Sequence, residues 1–278
     1  MASKVEIMGI VNLTPDSFSD GGKYDTRAEA VEHFRNLIAA GANVVDLGAV
    51  ATGPGSVLVS NDDEISRLRL ILESDFFENY GHKIKVSVDT FRSDVARYAL
   101  GKGASIINDI SGCRADIEML KVIAEFKAEI VIMYSRVGIN FPHASSEPIE
   151  YSSITDTITN FFEERIEFAL QNGVDKSKII LDPGMGGFLS PNTEYSWEVI
   201  RNLKILKEKF KDHRLLYGVS RKKFIREMGN NLEIDFATKV VELGLCQNGV
   251  DIVRTHEVAM LKSMLKIADK AAVVPKKQ

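Results

Sequence analysis

Short apolar, β-rich runs recur along this chain with helical patterns between them, and that recurrence limits how it can fold more than any other feature. The runs fall near residues 5–11, 43–48, 84–89, 104–108, 129–133, 178–182, 214–219 and 250–254. Helical spacing fits about 26–40, 61–79, 92–101, 115–127, 152–172, 193–210, 221–228 with 235–247, and 256–270. The runs are continuous rather than alternating, as in parallel strands buried on both faces. Gly41, Gly103, Gly173 and Gly249 each stand between a helix and the next strand, where a left-handed residue ends the helix. Eight strand–helix units without a long linker predict an α/β fold, a single-domain (β/α)8 TIM barrel over residues 1–278. A doubly wound open sheet is the alternative architecture. The period of about 30 residues is that of the βα unit itself, so no solenoid is read.

A barrel gathers its chemistry at the C-terminal ends of its strands. Those ends are polar in all eight units. They read Asn12; Asp46-Leu47-Gly48; Ser87-Val88-Asp89-Thr90; Ile107-Asn108-Asp109; Met133-Tyr134-Ser135-Arg136; Asp182-Pro183-Gly184; Ser220-Arg221-Lys222; and Arg254-Thr255-His256. Helix capping or turn chemistry accounts for any one of them. Eight together point to a functional rim. After the first strand, Asp16, Ser17, Asp20, Gly21 and Gly22 read as a hydrogen-bonding lid.

The order of these motifs resembles the dihydropteroate synthase family, whose members bind pterins. The resemblance runs over about residues 5–267. It rests on the segment Asn12 to Gly22, Ser87–Thr90, Ile107–Gly112, Leu181–Gly186, Ser220–Phe224 and Val253–His256. It implies a cytoplasmic, homodimeric transferase of folate biosynthesis that condenses 6-hydroxymethyl-7,8-dihydropterin diphosphate with p-aminobenzoate. It implies pterin sites at Asp89, Asn108, Met133, Asp182 and Lys222, with Asp89, Asp182 and Lys222 catalytic. It implies diphosphate sites at Asn12, Thr52, Arg254 and His256, with Mg²⁺ at Asn12. The p-aminobenzoate side would comprise Thr14, Pro15, Ser17, Phe18, Thr52, Pro54, Phe188 and Lys223, and the last helices would form the dimer.

The residue types suit that chemistry. Two carboxylates and an amide at strand ends match the N–H-rich edge of a 2-amino-4-oxopterin. Asp182 can accept two parallel bonds from it, and Lys222 can donate to the ring carbonyl and N5. Asp89 and Asp182 are equally suited to cap the helices that follow. Met133 suits either packing against the ring or filling the core. An arginine with a nearby histidine and a cation-binding amide suits a diphosphate and its metal. His256 alone of the five histidines sits at a strand tip with a basic partner two residues away. His143, in the loop after the fifth strand, has no evident partner.

Three departures from the family pattern fall on the arylamine side. The second loop usually reads Gly-Gly-Glu-Ser-Thr-Arg-Pro-Gly, and here it is Gly48-Ala49-Val50-Ala51-Thr52-Gly53-Pro54-Gly55. The turn after the sixth strand usually reads Gly-Phe-Gly-Lys, and here it is Gly186-Gly187-Phe188-Leu189-Ser190. Lys223 replaces the serine that usually follows Ser-Arg-Lys. The altered second loop and the turn after the sixth strand resemble the sulfonamide-insensitive branch, so sulfonamide resistance is expected. Two other readings compete: a pterin-binding homologue without catalysis, and a methyltetrahydrofolate–corrinoid methyltransferase. The latter would need no diphosphate site.

Composition narrows the classes further. Formal net charge is −4, too small to imply a nucleic-acid or membrane partner. No apolar run approaches the ~20 residues that span a bilayer, and the N-terminus lacks a signal-peptide pattern. Cys113 and Cys246 fit no metal spacing and read as free cytoplasmic thiols. The tail Pro275–Gln278 reads as a frayed end.

Overall fold

The computed structural model describes residues 5–14, 26–51, 56, 58–136, 149–229 and 232–271. Eight parallel strands close into a barrel in chain order, so the open sheet is excluded. They are β1 (Glu6–Asn12), β2 (Val44–Gly48), β3 (Lys85–Asp89), β4 (Ile106–Asp109), β5 (Glu129–Met133), β6 (Ile179–Asp182), β7 (Arg214–Tyr217) and β8 (Ile252–Thr255). Closure is made by β1 and β8, with Met8 opposite Arg254 and Gly9 opposite Thr255.

The helices of the outer ring are α1 (Thr26–Ala39), α2 (Asn61–Leu72), α3 (Asp75–Tyr80), α4 (Ser93–Gly101), α5 (Met119–Phe126) and α6 (Ile154–Gln171). They continue with α7 (Glu194–Arg201), α8 (Leu203–Lys209), α9 (Lys223–Gly229), α10 (Ile234–Gln247) and α11 (Val258–Ala271). Two expected helices are each broken in two. The 61–79 segment stops at Ser74, whose hydroxyl accepts from the Phe77 N–H and so caps a new helix. The 193–210 segment breaks at Asn202, whose amide donates to Thr155 Oγ1 at 2.8 Å. At Ser74 a short polar side chain competes with the helix for backbone hydrogen bonds, which an apolar period does not register. The four glycines expected to end helices have φ of 92°, 103°, 85° and 90°, the left-handed conformation that role requires.

Side chains alternate along every strand between the barrel interior and the helix ring. Ile7, Val45, Ile107, Ile130, Leu181, Leu215 and Val253 face outward into the main core. Met8, Val44, Ile106, Val131, Ile180, Leu216 and Ile252 form a separate apolar plug inside the barrel. Below the plug, at the strand starts, Arg214 pairs with Glu6 at 2.8 Å and Glu129 at 3.0 Å. Above it the inward positions turn polar.

Under β8 lies a buried ion pair. Lys239 and Glu242 of α10 are both fully buried; the Lys239 ammonium donates to Glu242 at 2.8 Å and to Thr255 Oγ1 at 2.7 Å. Burial pushes the Glu242 carboxyl up, against the pull of Lys239. Removing one partner would leave an uncompensated buried charge, which costs about 3–5 kcal/mol. Lys239→Met is therefore expected to lower stability by about that amount in urea denaturation at pH 7. Lys239→Met with Glu242→Leu should recover most of the loss.

Candidate active site

One step above the apolar plug, the even strands carry Asp46, Asn108, Asp182 and Arg254. Each stands two residues beyond a plug residue: Val44, Ile106, Ile180 and Ile252. The two-residue strand period therefore aims all four at one point. The next inward positions of the odd strands add Asp89, Met133 and Gly218. These residues, with Asn12, Thr14, Ile110, Met185, Phe188 and Lys222, line an open cavity of about 350 Å³ at the C-terminal mouth; Asp46 lies beneath it.

Hydrogen bonds tie the layer together. Arg254 Nε donates to Asp46 Oδ2 at 2.7 Å, and its Nη2 donates to Asp89 Oδ2 at 3.1 Å. Asn108 Nδ2 donates to the same Asp46 oxygen at 3.2 Å. Asp46 Oδ1 and Asn108 Oδ1 are buried without a protein partner. An unpaired buried acceptor is costly unless a ligand or water meets it. Asp182 Oδ1 accepts from the Gly184 N–H at 2.8 Å. Gly184 has φ 72°, and a Cβ there would meet the Tyr134 carbonyl at 2.3 Å, so this turn admits only glycine.

The crowding of charge shifts these groups. Burial drives the Asp89 carboxyl up to about 7; Arg254 opposes the shift and Asp46 adds to it. Burial also raises Asp182, to about 6, against the Gly184 N–H and the Lys222 ammonium. Lys222 is pushed down to about 8 by burial and by Arg254, while Asp182 and Asp89 pull the other way. The site thus holds two weakened acids beside a weakened base.

Other expected residues sit farther out. His256 does not line the cavity. Its Nδ1 lies 2.8 Å from Ser220 Oγ, and burial with Arg221 and Arg254 lowers its pKa to about 3. It is therefore a neutral hydrogen-bonding group. Lys223 opens α9, is 74% exposed, pairs with Glu227 at 3.2 Å and also stays off the cavity wall. The helix start turns its side chain outward while Lys222, one residue earlier, points in. Arg221 holds that turn with φ 59°, fixed by Asp235 at 2.6 Å and Glu257 at 3.0 Å. Phe188 lies beside Lys222, with the ammonium 5.0 Å from the ring centroid. Pro15, Ser17, Phe18, Thr52, Pro54 and His143 lie outside the described residues.

Asp46 was read from the sequence as a polar strand end but was given no role, although it organises the layer. The signal was its spacing: apolar, apolar, acid, two residues beyond a plug position. The two ends of the second loop are also pinned. Arg67 donates to the Ala49 carbonyl at 2.7 Å, and Arg92, paired with the buried Glu64 at 2.7 Å, donates to the Val59 carbonyl at 2.6 Å.

The closed barrel thus presents a buried acid–amide–arginine layer and a lysine to one cavity. Residues 8–256 match the pterin binding enzyme family, and the chain belongs to it. The dihydropteroate synthase of Bacillus subtilis (strain 168) is 36% identical, over 96% of this chain and 88% of its own length. The dihydropteroate synthase type-2 of Escherichia coli is 35% identical over 96% of each chain. The solved structure of the Xanthomonas albilineans dihydropteroate synthase with 4-aminobenzoic acid superposes with a TM-score of 0.84. It is 30% identical and covers 98% of this chain and 94% of that one.

Because its pKa rises on folding, Asp182 contributes stability that is complete below about pH 4 and lost as the pH climbs through about 6. Asp182→Asn cannot ionise. Urea midpoints should show the variant gaining on the wild type by about 2 kcal/mol between pH 4 and pH 7.

Proposed function

We propose that this chain catalyses the dihydropteroate synthase reaction: 6-hydroxymethyl-7,8-dihydropterin diphosphate condenses with p-aminobenzoate, giving 7,8-dihydropteroate and diphosphate. The observation that carries this reading is the convergence of Asp182, Asn108, Asp89 and Lys222 on one cavity beside Arg254. In this reading the Asp182 carboxylate accepts from the pterin amine and ring N–H. The unpaired Asn108 oxygen accepts a further N–H. Lys222 donates to the ring carbonyl and N5. Met133 packs on the ring.

The diphosphate then lies toward Asn12 and Arg254. Arg254 is oriented by Asp46 and Asp89 before substrate arrives, so little reorganisation accompanies departure of the leaving group. His256, held by Ser220 off the cavity wall, stands behind Arg254 rather than against the diphosphate. As the C–O bond to the diphosphate breaks, Asp89 and Asp182 stabilise the positive charge spread over the pterin. The arylamine nitrogen attacks the methylene, and no covalent enzyme intermediate is needed. Among the described residues no group of three or more His, Cys, Asp or Glu could hold a metal. The donor set fits Mg²⁺ carried by the substrate, with Asn12 giving one hard oxygen. Bound there, the ion would neutralise charge on the diphosphate.

We place the arylamine at the outer wall, beside Thr14 and Phe188, and infer discrimination against sulfonamides from the altered turn there. An inhibition constant for sulfamethoxazole as low as that of ordinary homologues would reject that inference. We also infer a homodimer through α9–α11, where Met228, Leu232, Phe236, Val240 and Ile267 are 46–68% exposed. Phe236→Glu should shift sedimentation to the monomer. Both cysteines are buried and free, which suits a cytoplasmic setting, and no described helix is long and apolar enough to cross a membrane.

Purified protein with Mg²⁺, the pterin diphosphate and labelled p-aminobenzoate should release diphosphate and form dihydropteroate. Diphosphate without dihydropteroate would mean a defective arylamine side, and pterin binding without turnover would mean a non-catalytic homologue. kcat/KM for the pterin diphosphate should rise between about pH 6 and about pH 7, as Asp182 and Asp89 ionise, and fall beyond about pH 8, as Lys222 loses its proton. Asp182→Asn should weaken pterin binding by about 2–4 kcal/mol in calorimetry.

A further inference from the structure

The turn that carries Phe188 is held from outside the cavity. The Arg136 N–H donates to the Phe188 carbonyl at 2.9 Å. One residue on, the Tyr151 hydroxyl donates to the Leu189 carbonyl at 2.7 Å. Behind it stands a short chain of phenols. Tyr134 donates to the Tyr151 hydroxyl at 3.3 Å. The Tyr151 N–H donates to the Tyr195 hydroxyl at 3.0 Å, and Tyr195 donates to Glu150 at 2.9 Å. The rings of Tyr151 and Tyr195 meet edge to face at 4.9 Å. Leu189 is fully buried, and Tyr151 itself does not line the cavity.

We propose that Tyr151 is a positioning residue: through the Leu189 carbonyl it sets where the Phe188 ring stands beside Lys222, and so sets the width of arylamine the mouth admits. This rests on the arylamine reading of that wall. Consecutive donors in a chain polarise one another, which strengthens the last bond to the turn. Burial, with Tyr134 beside it, raises the Tyr151 hydroxyl further above the usual phenol range. It therefore remains a donor throughout the working pH range. Without that donor the Leu189 carbonyl is left short of a partner in a dry setting, and the turn is free to shift with Phe188 on it. Arg136 would still hold residue 188, and the Leu189 and Ser190 N–H groups would still close the turn on the Gly186 carbonyl at 2.9 and 3.1 Å. What is lost is the tether on the Leu189 carbonyl, so the peptide that follows Phe188 gains freedom while the start of the turn stays in place.

Tyr151→Phe removes the donor and keeps the ring against Tyr195. Tyr134→Phe removes only the support of that donor and serves as the second variant should the first fail to fold. Two measurements decide the matter. Hydrogen exchange at the Leu189 and Ser190 amides should accelerate at least fivefold in Tyr151→Phe, and less in Tyr134→Phe, with the thermal midpoint little changed. KM for p-aminobenzoate should rise about fivefold, the loss of one neutral hydrogen bond, while KM for the pterin diphosphate stays within twofold. The wider 4-(methylamino)benzoate should be penalised less by the variant than p-aminobenzoate. Unchanged exchange overturns the positioning role. Faster exchange with both KM values moving together, or with neither moving, overturns the specificity role. Should wild-type protein form no dihydropteroate, the arylamine reading and the specificity role fail together, and the exchange data alone still decide the positioning role.

Discussion

Closing eight parallel strands leaves a narrow interior into which every second side chain must point. Most of that interior here is filled by Met8, Val44, Ile106, Val131, Ile180, Leu216 and Ile252. Two residues further along, the same alternation has no choice but to deliver Asp46, Asn108, Asp182 and Arg254 to a common level. Their charges would be prohibitively expensive if isolated above an apolar plug. They are tolerated because Arg254 binds two of the carboxylates at once and Asn108 donates to one of them. The remaining strain shows in the acids, with Asp89 and Asp182 held far above their ordinary values.

That arrangement explains why chemistry and stability are separated along the barrel axis. The plug and the outer core supply hydrophobic burial. The polar layer supplies fixed dipoles and charges, aimed before any ligand arrives. The buried Lys239–Glu242 pair steadies β8 from behind, through Thr255, beside the arginine on which the layer turns. Two strands away, Gly184 lets the β6 turn press against the Tyr134 carbonyl, which brings the Phe188 turn within reach of the tyrosines.

Much of this was readable beforehand, and the misses have physical reasons. Continuous apolar runs and glycine stops located all eight strands, because a strand buried on both faces must be apolar throughout. The broken helices escaped notice because Ser74 caps a new helix through a local bond and Asn202 is tied to Thr155, 47 residues away, and periodicity registers neither. Asp89, Asn108, Asp182 and Lys222 were recognised from their motifs, and they do converge. Asp46 was read as part of the polar rim but given no role, because its partners Arg254 and Asn108 lie on other strands, far away in the chain. Lys223 was assigned to the arylamine side on its place in a motif, yet its side chain runs along α9 to Glu227.

The amino-acid sequence by itself determined the number and order of the βα units, the level at which each strand turns polar, and the family. These are one-dimensional properties, carried by period and spacing. Only the tertiary structure decided which of two adjacent residues faces the mouth, as between Lys222 and Lys223. It alone showed that His256 is held by Ser220 off the cavity wall and that Asp46 anchors Arg254 from 208 residues away. Such facts depend on the direction of a side chain and on partners remote in the chain, and neither is encoded in local pattern.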